Sequence, residues 1–156
     1  MDEADIQIPL SPELAQRVMT TSPLGQDLGF KLLRLERARA VVGVDYQEKL
    51  IGNPVTGVVH GGLITALLDH ASAVAAIAAL DKPTSIATLD MRIDYMRAAE
   101  PGRRIIGDAT CFKLTKSIAF IRGTAYHDSA DDPIATVVCT YMLASDGGRK
   151  PGVNLK

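Results

Sequence analysis

Tryptophan is absent from this chain, and four Tyr and three Phe are all the aromatic side chains it has. The core must therefore be built from Ala, Val, Ile and Leu, and there is little platform on which nucleic-acid bases could stack. Positive charge is not in excess either. The formal net charge is −1 and Lys and Arg are scattered, so nothing supplies the counterion release that drives nucleic-acid binding. Cysteine is scarce: Cys111 and Cys139 lie far apart in strand-like stretches without CxxC spacing, which excludes a redox pair and leaves two reduced core residues. Metal ligands at a recognisable spacing and a Ser-centred nucleophile elbow are both missing. The acidic start Met1-Asp2-Glu3-Ala4-Asp5 is not followed by an apolar run, the opposite of a secretory signal, so the expected location is the cytoplasm.

What is present suits one ordinary domain spanning residues 1–156, with 47% of the residues hydrophobic. Ser11-Pro12-Glu13 combines an N-cap residue, a proline at the first helical position and an acid, which predicts a short helix over 11–19. Between Gly29 and Tyr46 the apolar period falls to two, predicting two strands. Gly52, Asn53, Pro54 and Gly57 mark Leu50 to Val58 as a loop. From Gly61 to Leu80 runs the longest apolar stretch, free of proline and rich in Ala and Leu, which predicts one helix of about five turns. Such a run raises the question of a membrane span, but Asp69 and His70 stand at its middle, where charge is most costly in lipid. A central helix covered by the rest of the protein is the better reading, and no membrane partner is expected.

Beyond Pro83 the chain is strand-like. Leu89, Met91, Ile93 and Tyr95 alternate with Asp90, Arg92 and Asp94, and three more strands are expected near 103–114, 118–127 and 134–144. The breaks between these last three are short, which favours antiparallel hairpins. The expected class is α+β, an antiparallel sheet wrapped around one long central helix. Residues 146–156, with their glycines and proline, read as a loose tail.

At 100° per residue, Gly62, Thr65, Asp69 and Ser72 share one narrow stripe of the apolar helix. A carboxylate buried there costs several kcal/mol unless compensated, roughly the effective penalty for a desolvated charge, so Asp69 is either a structural acid bonded to backbone or a neighbouring His, or a functional base. His60-Gly61-Gly62 stands where the helix begins, among amides without intrahelical partners. Those amides, with the helix dipole, attract developing negative charge, and glycine lets a carbonyl come close, which makes Gly61 and Gly62 a candidate oxyanion hole. The glycines could equally serve close packing. His60 is a candidate base, although its place before a glycine pair favours a role in fixing the loop through hydrogen bonds. Eight residues separate Gly61 from Asp69, about 12 Å along the axis, so one carbonyl cannot touch both within a chain. If both act on one substrate, the site must be shared between two subunits.

The run Gly52-Asn53-Pro54 through Gly57-Val58-Val59-His60-Gly61-Gly62, followed by Asp69 and then by Thr88-Leu89-Asp90-Met91 and Tyr95, resembles the hotdog-fold acyl-CoA thioesterases of the phenylacetyl-CoA (PaaI-like) type. The likeness covers roughly residues 20 to 145. It implies hydrolysis of an acyl-CoA, with the Gly61 amide polarising the thioester carbonyl and Asp69 of the partner subunit activating water or attacking directly. Asn53 would lie near the thioester, and Thr88 would help position water. Two details depart from this pattern: Asn53 precedes His60 by seven residues where six are expected, and Thr88 shares strand parity with Asp90 and Arg92, so either the pleat must break or the strand must start later for its hydroxyl to reach Asp69. The resemblance further implies a homodimer with shared sites, association into a homotetramer, and no cofactor other than the coenzyme A of the substrate. Leu24, Leu28 and Tyr95 are candidates for shaping the acyl pocket, and Arg97 and Lys116 for meeting the CoA phosphates. A hydratase or dehydratase of the same fold and a non-catalytic acyl-CoA binding module are the competing readings.

Overall fold

In the computed structural model, which describes residues 11, 13, 15–17, 23–82 and 84–144, a six-stranded antiparallel sheet curls around one long helix. The elements in chain order are helix α1 (Pro23–Leu28), strands β1 (Phe30–Glu36), β2 (Arg39–Val44), β3 (Ile51–Asn53) and β4 (Val58–Val59), helix α2 (Gly61–Ala78), and strands β5 (Ile86–Tyr95), β6 (Ile105–Leu114), β7 (Ile118–Tyr126) and β8 (Ala135–Leu143). The sheet order is β1-β2-β6-β7-β8-β5, and β3 and β4 make a separate two-stranded ribbon. Every pairing is antiparallel, as the short breaks in the second half of the sequence imply.

The two strands expected before Tyr46, the long helix and the last three strands all form close to their expected bounds. Helix α2 stops at Ala78 rather than Leu80, and a turn leads from it towards β5. Residues 13 and 15–17 are helical within the expected 11–19 segment; its other positions beyond Ser11, and the tail 146–156, lie outside the described residues. Helix α1 and the β3–β4 ribbon have no counterpart among the expected elements. Both are too short for a periodic signal: α1 is six residues, and the ribbon pairs three residues with two across a turn rich in glycine and proline.

Helix α2 is the centre of the core. By length and composition it could cross a membrane, but Leu67, Leu68, Ala71 and Ala75 are fully buried beneath the sheet. It packs mainly on β6, β2 and β7, the middle of the sheet. Gly107 on β6 makes the close approach possible, since a Cβ there would lie 3.1 Å from Leu67 Cγ. The inward positions of β8 are Ala135, Val137, Cys139, Tyr141 and Leu143, all buried. Cys111 and Cys139 are free thiols inside this core, and burial pushes the pKa of both upwards.

Strand β5 is an edge. Among the described residues its only sheet neighbour is β8, and none of them pairs with its far side, an edge of ten residues. The pairing slips between Thr88 and Asp90, so Leu89 is an extra residue in the ladder. The alternation in the sequence places Leu89 in the core, and the slip corrects this: Leu89 is 52% exposed. Residues before it change face. Thr88 sits opposite inward-facing Tyr141, whereas Asp90 sits opposite Thr140.

Candidate active site

The start of α2 is built by His60. Its backbone is extended and its imidazole Nδ1 accepts the Gly62 amide at 2.9 Å, so the ring serves as the N-cap and its proton lies on Nε2. The Leu63 amide donates to the His60 carbonyl. Among the described residues the Gly61 amide has no acceptor, which leaves it as the helix-start donor open to a ligand. Gly62, also a candidate donor from the sequence, has its amide occupied by the cap.

Two neighbours hold this turn in place. Tyr95 at the end of β5 donates to the Gly61 carbonyl at 2.8 Å, and the Thr65 hydroxyl meets the same phenol oxygen at 2.7 Å. On the other flank, the His60 amide donates to the Leu50 carbonyl at 2.8 Å, which draws β3 hard against the turn. Gly52 permits this: a Cβ there would stand 2.7 Å from His60 Cα, a main-chain atom that cannot swing aside. Gly52→Ala should therefore reduce the unfolding free energy by about 1–3 kcal/mol, the usual cost of overpacking, as read by chemical denaturation. An unchanged midpoint would show that β3 can retreat from His60 without loss.

Eight residues along α2, Asp69 is half-buried rather than enclosed: of the stripe it belongs to, Gly62 and Thr65 are exposed, whereas Ser72 is fully buried. Its partners are two hydroxyls and no histidine. Tyr141 donates to Oδ1 at 2.8 Å and Thr88 donates to the same oxygen at 3.1 Å. Among the described residues nothing donates to Oδ2. Thr88 reaches Asp69 because the extra residue Leu89 breaks the pleat, one of the two conditions that its sequence parity left open. Tyr141 escaped sequence reasoning. The available signal was a tyrosine among Val137, Cys139 and Leu143, the only inward position of β8 with a hydroxyl tip that needs a partner. Its phenol is pushed well above the ordinary range, first by burial and then by the Asp69 charge, so it stays a donor.

The remaining candidates sit apart from this pair. Asn53 closes a local turn, its Oδ1 accepting the Val55 and Thr56 amides at 3.0 and 3.4 Å. Arg97 does border a groove of about 360 Å³ with Gly61, Ile64 and Tyr95, but its guanidinium grips Asp132 through two nitrogens at 2.9 and 3.1 Å. Lys116 lies exposed in the β6–β7 turn, at the end of the sheet where β5 begins. A second hollow, about 410 Å³, opens on the opposite flank of the helix start and is lined by Leu24, Leu28, Leu50, Ile51, Leu63 and Ala66. His70 bonds the Ala66 carbonyl and packs edge-on to Phe30, and buried His127 bridges Arg104 O and the Glu100 amide. Among the described residues no three of His, Cys, Asp and Glu gather as a metal site.

An antiparallel sheet that curls around a single long helix is the arrangement of the hotdog fold. The sequence pattern of the thioesterase superfamily matches residues 56–133, half of the chain, and the chain belongs to that superfamily. It is a thioester hydrolase of the PaaI-like kind. Among curated relatives, the medium/long-chain acyl-CoA thioesterase YigI of Salmonella typhimurium is 25% identical over 134 residues, covering 78% of this chain and 85% of the relative. A solved Pseudomonas aeruginosa protein superposes with a TM-score of 0.75 at 38% identity, over 82% of this chain and 95% of its own. A point mutant of the phenylacetic acid degradation protein PaaI from Thermus thermophilus superposes with a TM-score of 0.68 at 26% identity, over 78% of this chain and 98% of its own.

Proposed function

We propose that the protein hydrolyses acyl-CoA thioesters at sites shared by two subunits, each combining Asp69 of one chain with Gly61 of the partner subunit. The observation that carries this reading is the arrangement along β5. Thr88 near its beginning is bonded to Asp69, and Tyr95 at its end is bonded to the Gly61 carbonyl. The open edge of β5 invites antiparallel pairing with a second copy of itself, which lays the Thr88 end of one strand beside the Tyr95 end of the other. Two complete sites then arise by symmetry, while one chain alone separates its amide and carboxylate by about 12 Å of helix.

The chemistry follows from the open atoms. The Gly61 amide donates to the thioester oxygen and holds the charge it gains. Asp69 Oδ2 takes a proton from a water that the Thr88 hydroxyl helps to place, and the water oxygen bonds to the carbonyl carbon. Collapse of the tetrahedral intermediate breaks the C–S bond, and the thiol of CoA leaves with the proton that Asp69 held. His60 contributes by capping the helix and keeping the Gly61 amide aimed. Asn53 can take part only through its NH₂ group, and Arg97 only by exchanging Asp132 for phosphate. Half-exposed Phe112, Leu114, Val138 and Met142 support further pairing of dimers into a tetramer. The enzyme is read as cytoplasmic, with no cofactor beyond the CoA of its substrate.

The apolar hollow beside His60 and Gly62 is the proposed seat of the acyl chain, a reading in keeping with the name of the YigI relative. Thiol release from a series of acyl-CoAs tests both claims. The specificity constant should rise from acetyl to medium chains, by roughly fourfold per buried methylene while the hollow fills, since each CH₂ contributes about 0.8 kcal/mol. Failure of every acyl-CoA to release thiol above the uncatalysed rate would refute the activity, and a flat series would refute the placement of the chain.

A further inference from the structure

We propose that Tyr141 is a positioning residue of this reaction: its hydroxyl ties Asp69 Oδ1 to the main chain of Asp69 and so leaves Oδ2 as the oxygen that meets water. The proposal rests on the reading of Asp69 as the base. The phenol oxygen stands 2.8 Å from Oδ1 and 2.9 Å from the Asp69 carbonyl oxygen. Both neighbours are acceptors, so the one phenolic proton is shared between them. Two electron-rich oxygens of the same residue gathered about one point repel. The hydroxyl between them turns that repulsion into two attractions, and the torsions of the Asp69 side chain are thereby set.

The anchor is also more deeply enclosed within its own chain than Thr88 is. Tyr141 is 1% exposed on β8, a strand paired on both sides, with Thr88 opposite it in the ladder. Thr88 itself is exposed on an edge strand, and its bond to Oδ1 is longer at 3.1 Å. A hydrogen bond to an ionised acceptor is among the strong ones, and a phenol is a better donor than an aliphatic hydroxyl. Tyr141 therefore decides the orientation of the carboxylate, and Thr88 is left to attend to the water.

Tyr141→Phe in the full-length enzyme removes the hydroxyl and retains the ring that fills the core. With an acyl-CoA that the unmodified enzyme turns over, kcat on its pH plateau should fall about 10- to 100-fold, the scale of a misplaced catalytic group, with KM nearly unchanged. The acidic limb of kcat should move to higher pH, because a donor favouring the charged form is gone. Adding Tyr141→Phe to Asp69→Asn should lower the residual rate no further, as Tyr141 acts through Asp69. If Tyr141→Phe fails to fold, 3-fluorotyrosine placed at 141, a stronger donor of nearly the same shape, should move the acidic limb downwards. An unmoved plateau and limb, a loss confined to KM, or a full multiplicative loss in the double variant each overturns the proposal. Asp69→Asn at full activity would instead remove the base on which it rests; a disabled Asp69→Asn beside a fully active Tyr141→Phe overturns the positioning role alone.

Discussion

Asp69→Asn is expected to keep the melting behaviour and the oligomer of the protein while losing roughly 10²- to 10⁴-fold in turnover, the range for removal of a general base. The two groups have the same shape. The side-chain oxygen of asparagine can still accept from Tyr141 and Thr88, so the bonds now made at 2.8 and 3.1 Å can persist and the helix need not shift. Only the acceptor at Oδ2 is replaced, by an NH₂ group that cannot take a proton from water. The loss should fall in kcat, with substrate binding nearly unchanged. A folded variant turning over at near the original rate would exclude Asp69 from the chemistry and leave it a structural acid held by two hydroxyls.

Mixing two inactive variants should restore about a quarter of the original activity. Take Asp69→Asn chains and Gly61→Val chains, the second carrying a branched side chain at the helix-start amide that blocks the approach of a carbonyl. The first carbon of a side chain at Gly61 would meet the Tyr95 ring at an ordinary 3.6 Å, so the substitution starts without a clash inside the chain. Each homodimer has both sites damaged. In a mixed dimer one site joins the two defects and the other joins an intact Gly61 to an intact Asp69. Random exchange makes about half the dimers mixed, each with one working site of two, hence about a quarter overall. Absence of recovery after verified exchange would mean that Gly61 and Asp69 of one chain serve the same site, or that one of them has only a structural part.

Long periodic segments are legible in the sequence because their pattern reports which face is covered. Helix α2 and the strands β6, β7 and β8 belong to this group. Helix α1 and the β3–β4 ribbon are illegible because a few residues held by contacts distant in sequence carry no period of their own. The site divides along similar lines. His60-Gly61-Gly62 and Asp69 can be found because spacing on one helix is fixed geometry. Thr88 can be placed only conditionally, since one residue of slip, at Leu89, decides which way it faces, and nothing in the local pattern announces the slip. Tyr141 lies 72 positions from Asp69, and no rule of spacing connects them. Arg97 and Lys116 stand out in the sequence by charge alone, and charge does not reveal that Asp132 already holds the arginine.

The order of the sheet also bears on how the protein is made. Among the described residues strand β5 pairs only with β8, the last of these strands to leave the ribosome, and β6 and β7 between them are synthesised first. Until residues 135–143 emerge, the nascent chain holds an apolar helix whose cover is incomplete and a strand with two open edges, the kind of species that associates wrongly with its neighbours. Closure depends on contacts between distant parts of the sequence, which form slowly. Asp69 acquires Tyr141 in that same late event, so a chain cut before β8 lacks at once the partner strand of β5 and the hydroxyl bonded to its carboxylate.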